Sequence, residues 1–159
     1  ASGTSADVIG NVQAAAFLGT NFVCEQSFMQ YTTQTVATGV SEPITSFEDN
    51  RADASFTTSI SNCIVAIEGW YDCSISMSME WVAAATGDVY MRQNGVVFLD
   101  TGGNRCGFDF DAPNISKAVN GSDQKLCYLS ASSSVEWWLE ADVNNDFVIK
   151  HGGTRVERK

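Results

Sequence analysis

The chain has 159 residues, 44% of them apolar, and a formal charge of −10 at neutral pH. That length fills one hydrophobic core and not two, and that apolar share excludes a wholly disordered chain. The acidity argues against a nucleic-acid partner, which needs clustered Lys and Arg, and no apolar run approaches the roughly 20 residues of a membrane-spanning helix.

In chain order, Val8, Val12, Ala15 and Ala16 stand at helical spacing, so residues 1–20 read either as a short helix or as an extended arm reaching a neighbouring subunit. Residues 21–159 read as the folded domain. Ala1-Ser2-Gly3-Thr4 lacks the basic region and apolar core of a signal peptide, the pattern of a mature end or of a lost initiator methionine. Charge is uneven along the chain: residues 1–50 hold no Lys or Arg, whereas Lys150, Arg155, Arg158 and Lys159 are four of its nine bases. Two readings of this asymmetry stand, attraction between neighbouring subunits and a solvated basic tail.

The dominant signal further on is alternation with period two, the signature of a strand with one buried face. Phe56, Thr58, Ile60, Asn62 and Ile64 alternate within an apolar strand over 56–67. Glu68-Gly69 then supplies a turn into 70–81, where Tyr71, Cys73, Ile75, Met77, Met79 and Trp81 share one face and Asp72, Ser74, Ser76, Ser78 and Glu80 the other. Val89–Gln93, Asn94-Gly95 and Val96–Leu99 form a hairpin, because Asn-Gly accepts positive φ at both central positions. A short strand at Gly107–Phe110 precedes a loop over 111–123, and strands follow at 124–129 and 135–143. Asn144-Asn145 turns the chain into Phe147–Lys150, and Thr154–Arg158 completes the set after Gly152-Gly153. Eight to ten short strands with almost no helix give an all-β fold, an antiparallel two-sheet jelly-roll sandwich.

Five cysteines, Cys24, Cys63, Cys73, Cys106 and Cys127, are an odd number without zinc-ligand spacing, so at least one stays unpaired within the chain. Cys63 and Cys73 lie equally far from Glu68, and a hairpin there sets them opposite each other; buried thiols and a disulfide both remain open. The single histidine, His151, has no nucleophile motif beside it, and no phosphate loop or dinucleotide fingerprint occurs. Acid pairs such as Asp109 with Asp111, or Glu136 with Glu140, have the spacing of any solvent face. The expectation is a protein that is not an enzyme. Asn114-Ile115-Ser116 and Asn120-Gly121-Ser122 match the glycosylation sequon, which has meaning only in a secretory pathway.

Several of these segments together resemble the tumour necrosis factor-like superfamily, which includes complement globular heads and phage virion proteins. The resemblance is carried by the apolar strand 56–67, then Glu68-Gly69-Trp70-Tyr71, and then Val89-Tyr90-Met91-Arg92-Gln93-Asn94-Gly95. The ending Val135-Glu136-Trp137-Trp138-Leu139, Phe147–His151 and Thr154–Arg158 is similar to that of phage jelly rolls. It spans about residues 45–159, and no collagen-like stalk precedes it.

The resemblance implies a homotrimer whose last strand packs near the subunit interface. Trp70, Tyr90 and Trp138 alternate away from the core face, so they are candidate interface residues with His151 and Arg155, unless both faces of their strands are buried in the sandwich. Some members of the superfamily bind calcium, and Asp142, Asn144 and Asp146 offer alternating oxygen ligands. Phe147 stands where an EF-hand needs glycine, so the choice lies between a different calcium site and a polar turn. No other cofactor is implied. The role implied is a bacteriophage virion structural protein, a trimeric head decoration protein assembled in the host cytoplasm, bridging copies of the major capsid protein without membrane or nucleic-acid contacts. A receptor-binding fibre head recognising a host glycan, and a secreted complement-like lectin, are the competing roles.

Overall fold

The computed structural model describes residues 22–28, 32–113 and 118–159. Residues 1–20, with their expected short helix or arm, lie outside them. The described residues form two antiparallel sheets packed face to face. The first contains β1 (Val23–Phe28), β2 (Thr33–Val36), β4 (Phe47–Ala52), β7 (Gly69–Trp81), β11 (Ala118–Leu129) and β13 (Asn145–Arg158). Its order is β11-β7-β13-β1-β4, with β2 also pairing β13. The second contains β3 (Ser41–Pro43), β5 (Phe56–Thr58), β6 (Asn62–Val65), β8 (Ala85–Gln93), β9 (Val96–Val97), β10 (Gly107–Ala112) and β12 (Ser134–Ala141). Its order is β10-β8-β12-β6-β5, with β3 on β12 and β9 on β8. This is the expected two-sheet jelly roll.

The alternation in β7 is realised side chain by side chain: Tyr71, Cys73, Ile75, Met77, Met79 and Trp81 are all buried between the sheets. Val89 and Met91 of β8 and Val135, Trp137 and Leu139 of β12 meet them from the second sheet. Trp81 stacks between Phe110 and Phe147, each ring centroid 5.1 Å away, so it joins β7, β10 and β13 at one end of the core. The hairpin at Asn94-Gly95 has φ of 52° and 74°, the positive pair its sequence requires.

Four expectations need correction. The run 56–67 is not one strand: β5 and β6 pair with each other around Ser59-Ile60-Ser61, where the Ser59 hydroxyl accepts from the amides of Ser61 and Asn62. Cys63 and Val65 consequently face the core, whereas Asn62 and Ile64 do not. Glu68-Gly69 is not a hairpin turn but a crossing between sheets, since β6 lies in the second sheet and β7 in the first. Cys73 therefore faces Cys127, not Cys63, and all five cysteines are buried free thiols.

The expected loop 111–123 is largely strand, because β11 starts at Ala118 and runs through Asn120-Gly121 as an edge whose outward residues there, Asn120, Ser122 and Gln124, are polar. Gly121 is needed there: a Cβ would fall 2.0 Å from the Phe108 ring. Finally, Gly152-Gly153 does not end a strand. A Cβ at Gly152 would lie 2.1 Å from the Ser76 carbonyl oxygen and one at Gly153 2.4 Å from that of Gln26, so glycine lets β7 and β1 close on β13 from both sides. A bulge after Ile149 re-aims His151 just before this pair.

Candidate functional site

The outer face of the first sheet is built by the residues that alternate away from the core, and the register aligns them in rows. Trp70 of β7 lies opposite Tyr128 of β11, and Asp72 opposite Leu126. Next come Glu25, Arg155, Ser74 and Gln124 across β1, β13, β7 and β11. Then follow Ser27, Gly153, Ser76 and Ser122, and last His151 with Ser78 and Asn120. The face thus grades from aromatic, through charged, to small and polar.

Its aromatic end is uncovered. Trp70 is 54% exposed, Leu126 60% and Tyr128 47%, and the two rings meet edge to face at 5.6 Å. Lys159 caps this end, donating its backbone N–H to the Trp70 carbonyl and pairing through Nζ with Asp72 at 3.3 Å and Glu157 at 3.1 Å. These carboxylates hold the Lys159 ammonium above its usual range, the Glu157 hydrogen bond contributing most.

The middle rows form a depression of about 620 Å3 lined by Glu25, Ser27, Asn50, Ser76, Gln124 and Arg155 among others. Arg155 spans it, 3.4 Å from Glu25 and 3.3 Å from Glu157. A second depression of about 310 Å3 continues to His151 and Asn120.

The outer face of the second sheet is different. Tyr90 points away from the core, yet it is only 1% exposed, which corrects its reading as an exposed aromatic. Its hydroxyl donates to Ser41 Oγ at 2.7 Å and accepts from Arg92 Nη2 at 3.1 Å. Arg105 lies 4.5 Å above its ring, and Arg92 lies 3.9 Å above that of Trp138. Trp138 is half-buried and donates its indole N–H to Glu136 at 3.0 Å. Arg105 also pairs with Asp88 at 3.1 Å and Glu140 at 3.6 Å. Arginines and carboxylates of the same chain therefore close this face over its aromatics. At its edge Asp88 and Asp109 stand directly opposite on β8 and β10, and burial, then the hydrogen bond that protonated Asp88 donates to Asp109, raises the Asp88 carboxyl above its usual range.

Of the five interface candidates, the structure gathers Trp70, His151 and Arg155 on one face and sets Tyr90 and Trp138 on the opposite one. Sequence reasoning missed Glu25, Asn50, Leu126 and Tyr128. The last two were signalled by their alternation with Cys127 and Leu129; the first two lie in a segment whose strands are short and polar. The calcium candidates diverge. Asp142 accepts from the backbone N–H and hydroxyl of Thr86, both at 2.8 Å, which lowers its carboxyl below the usual range. Asp146 accepts from the Thr35 hydroxyl at 2.5 Å on another strand. Among the described residues, no three His, Cys, Asp or Glu gather as a metal site.

No protein-family model and no curated protein sequence matches the chain. Solved structures do. It is similar to Eiger TNF from S. frugiperda at 8% identity and a TM-score of 0.58, covering 88% of this chain and 93% of that one. It is similar to the globular domain of zebrafish complement 1qA at 10% identity and 0.54, covering 86% and 98%. It is similar to the PRD1 vertex protein P5 at 10% identity and 0.51, covering 86% and 95%. With two antiparallel sheets in the order described and these three neighbours, the chain has the tumour necrosis factor-like, complement globular-head-like jelly-roll fold.

Proposed function

We propose that the chain is a non-catalytic structural protein of a phage virion that assembles as a homotrimer and decorates the head. The observation that carries self-assembly is the outer face of the first sheet. Trp70, Leu126 and Tyr128 expose apolar surface at one end, and serines and Gly153 let a second backbone approach closely beside it. Trp70, His151 and Arg155 are the proposed interface residues there. Tyr90 and Trp138, already covered by arginines of their own chain, act in holding the second sheet's surface together.

The fold likeness to the phage vertex protein P5 of PRD1 supports a virion location, and the superfamily resemblance supports three copies. Burial of apolar surface against the major capsid protein drives attachment in this reading. Heating particles with and without the protein tests the role: decorated heads keep their contents to a higher temperature, and equal survival of bare heads contradicts it.

A second reading has one observation in its favour. The polar depression around Glu25, Asn50, Gln124 and Arg155, with exposed Trp70 on the same face, has the groups a glycan-binding head uses. Binding on a glycan array that is lost in Trp70→Ala supports it over decoration.

A further inference from the structure

Cys73 and Cys127 stand on adjacent strands of the first sheet, both turned into the core, with their sulfurs 3.3 Å apart. Cys127 is in register with Tyr71, so the two thiols meet diagonally across β7 and β11. Beside them a groove of about 280 Å3 opens between β11 and the segment after β9, lined by Trp70, Phe98, Leu99, Cys106, Cys127 and Tyr128. Cys127 is part of that lining, whereas Cys73 is fully enclosed behind it. Of this pair, Cys127 is the one a reagent in the groove reaches.

We propose that Cys73 and Cys127 are a disulfide modification site, closed when the folded protein reacts with a small-molecule disulfide that enters this groove. The Cys127 thiolate attacks one sulfur of the reagent, forming a mixed disulfide and expelling one reagent thiolate, which takes up a proton. Cys73 then loses its proton and attacks the Cys127 sulfur; the bond to the reagent breaks, and the second reagent thiol leaves. Two protein thiols are oxidised to one disulfide, and the reagent disulfide is reduced to two thiols.

The roles follow from the surroundings. The pairing of the two thiols lowers Cys127, while that same pairing and then burial raise Cys73. Cys127, which lines the groove, is the attacking sulfur, and Cys73, enclosed behind it, the resolving one. Cys106 shares the groove, but burial pushes it up to about 11. Cys24 and Cys63 do not line the groove. Among the described residues β11 pairs in its sheet only with β7, so it can move inward to a bond of about 2.05 Å.

The test uses the whole folded protein, diluted until sedimentation shows single chains because the groove shares Trp70 and Tyr128 with the proposed interface. It is then incubated with oxidised glutathione well below its melting temperature, quenched in acid, alkylated in denaturant and digested for mass spectrometry. The expected product is one cross-linked peptide pair, Cys73 with Cys127, with Cys24, Cys63 and Cys106 alkylated. A melting temperature higher by roughly 5 to 10 °C accompanies it. In Cys73→Ala, glutathione stays attached at Cys127 because nothing displaces it. Full alkylation of all five cysteines overturns the proposal. A first product joining Cys127 to Cys106, or Cys24 to Cys63, overturns it equally, and the wild-type result alone decides even where the variant folds poorly.

Discussion

At Gly152, φ is +131° and a Cβ would lie 2.1 Å from the Ser76 carbonyl oxygen, so both the backbone conformation and the neighbouring strand reject a side chain. Gly152→Ala is expected to destabilise by about 2 kcal/mol or more, measured by chemical denaturation. Gly95 is the control: its φ is +74° but nothing lies within 4 Å of where a methyl group would sit, so Gly95→Ala costs only the backbone strain of about 1 kcal/mol. Charge acts at the same scale where Asp88 faces Asp109. The folded protein raises the Asp88 carboxyl, so this group adds stability at low pH and loses it as pH rises through its folded value. Asp109→Asn removes the facing charge, and a gain of about 0.5 kcal/mol at neutral pH is expected. That gain shrinks as pH falls through the raised range in which Asp88 takes up its proton; melting curves across pH check it.

Among the elements, β7 was fully legible in the sequence because every inward position is apolar and every outward one polar or at the strand end, and the Asn94-Gly95 turn was legible because its chemistry admits one geometry. The failures have physical causes. Within β5 and β6 the apparent alternation counted Ile60, which sits exposed in the turn, and so put the wrong face inward. β11 looked like a loop because Asn120-Gly121-Ser122 are turn formers, and only the Phe108 ring across the sandwich explains why glycine belongs in that strand. Gly152-Gly153 misled for the same reason, since close approach by other strands is invisible along one chain. Trp70, His151 and Arg155 share the outer face of the first sheet, but no local pattern tells which sheet a strand joins, and that separates them from Tyr90 and Trp138. As an edge strand, β11 depends on Trp70 and Tyr128 for its pairing at that end. Tyr128→Ser is therefore expected to cost about 1 kcal/mol in the isolated chain and to weaken assembly far more, measured by denaturation and by sedimentation at falling concentration.

For the whole molecule, the decisive balance is between apolar surface on the first sheet and a formal charge of −10 on each chain. Three copies brought together repel one another through that charge, and salt screens the repulsion while leaving apolar burial intact. Assembly is therefore expected to tighten as ionic strength rises, a trend opposite to that of an interface held mainly by ion pairs. The central claim, a trimer that acts on a phage head, is tested most directly by native mass measurement combined with particle fractionation. A mass of three chains, with the protein co-purifying on heads and Trp70→Asp shifting it to single chains off the particle, is the predicted result. A single-chain mass for the wild-type protein, or its absence from purified heads, contradicts the account.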